Sequence, residues 1–178
     1  YLGTDGASFA RLEAAGATRK IIPPSARPEA DFLGLCIRCG NCARACPSKI
    51  IAPDVSPSVL TGLLAPVVSF SADYCREDCW RCTEVCPTGA IAPLPNGDKL
   101  AAPMGVVRVD MSLCLLGDDR ECFVCRNACP FQAIALIFSE DTYSLTPRID
   151  PPRCPGCGAC QAACPVTPKK AIVVHPLR

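Results

Sequence analysis

Cys36-Ile37-Arg38-Cys39-Gly40-Asn41-Cys42-Ala43-Arg44-Ala45-Cys46-Pro47 is the stretch on which the reading of this chain turns. Three cysteines stand three residues apart, a fourth follows after three more residues, and a proline comes next. The pattern returns three times, as Cys75, Cys79, Cys82 and Cys86 before Pro87, as Cys114, Cys122, Cys125 and Cys129 before Pro130, and as Cys154, Cys157, Cys160 and Cys164 before Pro165. These sixteen residues are all the cysteines of the 178-residue chain.

The chemistry that needs this pattern is a 4Fe-4S cube, which takes one soft thiolate per iron. Three cysteines on one short loop wrap three corners. The fourth corner needs a thiolate from elsewhere, and in two-cluster ferredoxins the cysteine before proline serves the other cluster. All sixteen cysteines are therefore candidate iron ligands, and four 4Fe-4S clusters are the expected cofactors. Gly40, Gly156 and Gly158 fit loops whose backbone amides approach cluster sulfurs closely. Zinc is disfavoured because its structural sites use two separated cysteine pairs. A disulfide framework has no use for the fourfold regularity. Cys75, Cys79 and Cys82 match the three-cysteine spacing of radical enzymes that cleave S-adenosylmethionine, but Cys86 completes four ligands and the chain is too small for that fold. Cys122-Phe123-Val124-Cys125 has thioredoxin spacing without a βαβ context.

Composition points the same way. Cysteine inflates the 49% hydrophobic content, and only six Phe, three Tyr and one Trp are present with 19 Pro. Long helices and wide sheets are not expected, and cluster binding carries much of the folding free energy. Eighteen basic and 17 acidic residues balance without a basic run, which argues against a nucleic-acid partner. The most apolar stretch, Val59 to Phe70, is interrupted by Pro66 and is well short of the roughly 20 residues a membrane span needs. The first residue is Tyr1, compatible with a removed export signal or an upstream membrane segment.

Residues 1–30 lack cysteine and read as an N-terminal arm, with a helical piece at Ser8 to Ala15 and an extended Pro23-Pro24 path into a short turn at Glu29 to Leu33. From Cys36 a unit of about 40 residues repeats: a cysteine loop, a short apolar exit, a turn and an apolar approach to the next loop. Short exits follow each loop, at Lys49 to Ile51, Gly89 to Ile91, Ala133 to Ile137 and Ala171 to Val174. Pro95-Asn96-Gly97 predicts a hairpin between the second and third loops, with Val106 to Asp110 as a strand. A helix is expected to begin near Ser56-Pro57. Trp80 and Phe123, between ligands, are expected to pack on their loops, and His175 to lie at the surface. Asp118 to Glu121 and Lys169-Lys170 are candidate docking charges, with plain solvation the simpler reading. No nucleophile–base pair, paired carboxylates or glycine-rich nucleotide loop stands out, so no catalytic residue is assigned.

The chain resembles the polyferredoxins that accompany periplasmic nitrate reductase and methylamine dehydrogenase. The matching stretches are Arg27 to Cys42, Cys86 to Ile91, and Met104 to Asp110 running into the widened set Cys114, Cys122, Cys125 and Cys129. The resemblance covers about residues 27–174. It implies an α+β fold with little regular structure, built of two-cluster ferredoxin-like units with short hairpins and helices around four clusters in residues 31–178. Four-cluster electron-transfer subunits, which the chain also resembles, imply nested pairing: an inner unit at 72–130 and an outer unit from 31–52 plus 150–178. Nested pairing assigns Cys164 to Cys36, Cys39 and Cys42; Cys129 to Cys75, Cys79 and Cys82; Cys86 to Cys114, Cys122 and Cys125; and Cys46 to Cys154, Cys157 and Cys160. Consecutive pairing gives Cys86 to the first cluster instead. The implied function is relay of single electrons between a donor, such as a quinol-linked membrane partner, and a redox enzyme. The alternative is a maturation factor that supplies clusters or electrons to a partner oxidoreductase. The resemblance also implies a periplasmic or membrane-associated location, with the cytoplasm as the alternative.

Overall fold

Proline after each fourth cysteine shapes the local structure. It withholds an amide donor and pushes the residue before it out of the helical region. Each cysteine loop therefore closes on a helix of four or five residues that holds the third cysteine and ends at or before the fourth. The computed structural model describes residues 19–56, 62–94, 97–118, 120–140 and 143–177. Helix α1 (Glu29–Leu35) precedes the first loop, and α2 (Asn41–Ala45) follows its second cysteine. The other loop helices are α3 (Arg81–Glu84), α4 (Val124–Asn127) and α5 (Ala159–Ala163). Cys46 and Cys164, the residues that end α2 and α5, have ψ of 115° and 126°, the extended backbone that the following proline demands.

The apolar exits form three two-stranded antiparallel ribbons. Strand β1 (Ile51–Pro53) pairs with β2 (Pro66–Val68), and β4 (Ile134–Ser139) with β5 (Ser144–Ile149). Strand β3 (Gly105–Val109), which approaches the third loop, pairs with β6 (Ile172–Pro176), which leaves the fourth, in the register Val107 opposite Val174. The first half repeats this plan in reduced form: Ala26 bridges Ile91, the Arg27 amide donates to Ala90 O at 3.0 Å, and the Ala92 amide to Ser25 O at 2.9 Å. Each half is thus an approach, a cysteine loop, a ribbon, a second loop and an exit that returns to pair with the approach.

This organisation corrects three expectations. The units are consecutive, not an inner 72–130 within an outer 31–52 plus 150–178, because each exit strand finds its partner in its own half and α2 packs against α3 while α4 packs against α5. The strand at Val106 to Val109 belongs to the ribbon with β6 and not to a hairpin joining the second and third loops; Pro95 and Asn96 of the predicted turn lie outside the described residues. The end of the arm is part of the first unit, since Pro23 is buried and the Val68 amide donates to Ile21 O at 2.8 Å. The helices expected at Ser8 to Ala15 and from Ser56-Pro57 fall on or run into residues outside those described.

The core is short of aromatic side chains and rich in sulfur. Phe32, Phe70 and Ile91 are its largest fully buried apolar side chains, and Cys42, Cys46, Cys75, Cys82, Cys157, Cys160 and Cys164 are buried with them. Phe32 is the one buried residue of α1, so Phe32→Ala leaves that helix without an anchor. The expected loss is about 3–5 kcal/mol of unfolding free energy, read by denaturant titration of the loaded protein.

Candidate iron-sulfur centres

Two of the fourth cysteines, Cys46 and Cys129, stand beside the loops that the consecutive plan gives them. Cys46 lines the same apolar void as Cys75, Cys79 and Cys82, and its negative charge helps to push the thiols of Cys75 and Cys82 up. Cys129 acts in the same way on Cys154, Cys157 and Cys160. The nested expectation put Cys46 with Cys154, Cys157 and Cys160, and Cys129 with Cys75, Cys79 and Cys82. The structure brings neither set together, because the contacts between α2 and α3 and between α4 and α5 place neighbouring loops back to back. Across the first pair, Asn41 Nδ2 donates to Val85 O, the residue before Cys86, at 3.4 Å.

Burial is the main cost of ionising these sulfurs without a metal. It pushes Cys82 and Cys157 up to about 12 and Cys125 up to about 11, and Cys160 is raised further for the same reason. Neighbouring thiolates add to the rise. A buried cluster of thiolates needs a compensating cation, and an iron cube supplies it, so the donor set fits a 4Fe-4S group. At Cys86 hydrogen bonds outweigh burial. Burial raises Cys86 too, but the Ile91 amide at 3.4 Å together with Thr88 and Ala90 brings it below its ordinary value. In the second unit the Ala133 amide donates to Cys129 Sγ at 3.3 Å, on the fourth cysteine of that unit's first loop. Such amide-to-sulfur bonds stabilise negative charge on a ligating thiolate.

Both bonds come from one local device. Three residues after the fourth cysteine, the backbone turns left-handed at Lys49, Gly89 and Gln132, which folds the exit back over the sulfur. Of the two glycines expected to open the fourth loop to a cluster, Gly156 turns its amide to the Cys154 sulfur, and both also lie against distant parts of the fold. A Cβ on Gly156 would stand 2.5 Å from Gly105 O, and one on Gly158 would stand 2.2 Å from the Phe70 ring. They admit backbone and an aromatic ring, and the second contact joins the two units. Trp80 covers Gly97 and donates to Glu84 Oε1 at 3.1 Å, while Phe123 stays partly exposed. Lys169 pairs with Asp110 at 3.7 Å and Lys170 donates to Cys164 O, so both lysines have partners within the fold, whereas Asp118, Arg120 and Glu121 face solvent. His175 is exposed on β6.

One residue at the centres had no signal in the sequence. Lys99, in the short 3-10 helix Lys99–Ala101, is 2% exposed, and its Nζ donates to Cys75 Sγ at 2.9 Å and to Arg76 O. A lysine directly after Gly97-Asp98 reads as a solvated turn residue; only the folded chain puts it on a cysteine.

Loops that gather thiolates, amide-to-sulfur bonds and two copies of one ribbon plan define a ferredoxin-type iron-sulfur protein. Residues 35–90 and 120–167 match the 4Fe-4S dicluster domain family, one match across each pair of neighbouring loops. The chain belongs to this family, within the polyferredoxins, and binds 4Fe-4S clusters in an electron-transfer role. It is 36% identical to the methylamine utilization ferredoxin-type protein MauM of Methylobacillus flagellatus, over 96% of this chain and 74% of that protein. It is 34% identical to the ferredoxin-type protein NapG of Escherichia coli, over 89% and 71% of the two chains, and 29% identical to NapF of the same organism, over 89% and 88%. Among the described residues no helix is long and apolar enough to cross a membrane.

Proposed function

We propose that the chain relays single electrons through four 4Fe-4S clusters in the spatial order first, second, fourth, third. The first is held by Cys36, Cys39, Cys42 and Cys86, the second by Cys75, Cys79, Cys82 and Cys46, the fourth by Cys154, Cys157, Cys160 and Cys129, and the third by Cys114, Cys122, Cys125 and Cys164. Bound in these sites, the cubes supply reversible one-electron chemistry. The observation that carries the order is the hydrogen bond from the Cys75 amide to Cys157 O at 2.9 Å, which ties the second loop directly to the fourth. Within each unit the loops already share a helix contact, so this bond closes the gap between units.

The two outer sites then face the partners. Cys39 is exposed, with the exposed apolar side chains of Leu35 and Ile37 beside it; at the other end Phe123 and Val124 are exposed next to Cys122. A quinol-linked membrane donor and a catalytic oxidoreductase are the partner types this arrangement serves, with a periplasmic or membrane-associated location. Anaerobic iron and sulfide analysis tests the count: about 16 of each per chain are expected, and about eight would overturn the four-cluster reading. Reversible reduction of the loaded protein without substrate turnover is expected alongside.

A further inference from the structure

Lys99 has the least exposure of any lysine among the described residues, at 2%, and no carboxylate is paired with it among them. Its ammonium points at a sulfur, 2.9 Å from Cys75 Sγ, and is anchored from the other side by Arg76 O. The turn that delivers it is built firmly. Asp98 Oδ1 accepts from the Leu100 amide at 2.9 Å, and Gly97, at φ +67°, lies so close under the Trp80 ring that a Cβ would stand 2.6 Å from it. Among the described residues the second unit shows no counterpart: Lys170, which follows the fourth loop, donates to the Cys164 carbonyl.

We propose that Lys99 raises the reduction potential of the second centre by holding a charged hydrogen-bond donor on the Cys75 sulfur. The inference rests on the reading that Cys75 ligates that centre. Reduction adds one electron and breaks no bond, so the added negative charge resides on the cluster and its thiolates. A cation fixed beside one of those thiolates, out of water, stabilises the reduced form more than the oxidised form. Because the Cys75 amide also donates to Cys157 O, the raised centre sits at the junction of the two units.

The test is an anaerobic redox titration followed by electron paramagnetic resonance, with iron analysis of the same samples, on the full chain and on Lys99→Met and Lys99→Gln. Lys99→Met removes charge and donor; Lys99→Gln keeps a donor without charge. The expected result is full iron content with one centre lowered and three unmoved. At a fixed solution potential the reduced-to-oxidised ratio of that centre should fall about tenfold in Lys99→Met, a shift of about 59 mV for one electron, and by less in Lys99→Gln. Four unchanged potentials in a fully loaded variant would overturn the proposal. Loss of about four irons in both variants would overturn it as well, by making Lys99 a requirement for assembly. Fewer than about 16 irons in the unsubstituted chain would instead count against the four-cluster reading, whatever Lys99 does.

Discussion

Cys46→Ala is expected to empty the centre built on Cys75, Cys79 and Cys82 and to leave the one built on Cys154, Cys157 and Cys160 intact. Iron should fall from about 16 to about 12 per chain. Two double variants identify which centre is lost. If Cys46 and Cys79 serve one cube, Cys46→Ala with Cys79→Ala costs no further iron and stays at about 12, because residues that act as a unit are not additive. Cys46→Ala with Cys157→Ala removes two separate cubes and falls to about eight. Nested pairing predicts the reverse. The expectation follows from Cys46 lining the void with Cys75, Cys79 and Cys82 and from the consecutive ribbons that hold the two loops together. Cys46 is buried, so its thiolate has no alternative partner in solvent.

Gly158→Ala is expected to cost about 2–5 kcal/mol and to open the contact between the units. Two separate terms add. The residue has φ +83°, where an L side chain costs roughly 1–2 kcal/mol. The new methyl would also lie 2.2 Å from the ring of Phe70, which is 2% exposed and cannot swing into solvent, and overpacking of that kind costs about 1–3 kcal/mol. Combining Gly158→Ala with Phe70→Leu should recover part of the steric term and leave the backbone term, at the expense of some packing. Gly34→Ala is the control: it sits in α1 with nothing within 4 Å of a Cβ, and alanine there is expected to be neutral or to stabilise by up to about 1 kcal/mol. Denaturant titration of the anaerobically loaded proteins reads all three. A Gly158→Ala protein as stable as the parent would mean that Phe70 and the fourth loop do not meet in solution.

Much of this molecule is legible in its sequence because the chemistry is local. One thiolate per iron, three thiolates per loop and a proline that halts each helix are decided by residues within a dozen positions of one another. The apolar exits at Ile50, Ala90, Ala133 and Ala171 likewise announce short strands, and the scarcity of aromatic residues announces a small, metal-dependent core. The resemblance to polyferredoxins rests on the same local features and was correct at that level. What local pattern could not supply is the partner of each fourth cysteine. Cys46 is as compatible with the loop at Cys75 as with that at Cys154, because the spacing of a loop carries no information about which distant loop completes it.

That choice is made by strand pairing. Ile172 to Pro176 could add to any exposed ribbon edge, and it is Gly105 to Val109 that receives it; Ile91 could pair forward or back, and it bridges Ala26. Closing a strand onto the approach of its own unit spans a shorter loop than nesting the two chain ends, so the consecutive plan loses less chain entropy. The burial of Lys99 and the close fit of Phe70 on Gly158 are decided at the same stage. Each depends on a surface that exists only once two loops far apart in the chain have met. The sequence by itself determined the candidate ligands, the kind of group they suit and the shape of each loop, since these follow from neighbouring residues. The tertiary structure alone decided which loops share a unit, the contact between the second and fourth loops, and the charge placed on Cys75, because those are long-range pairings selected by packing and not by spacing.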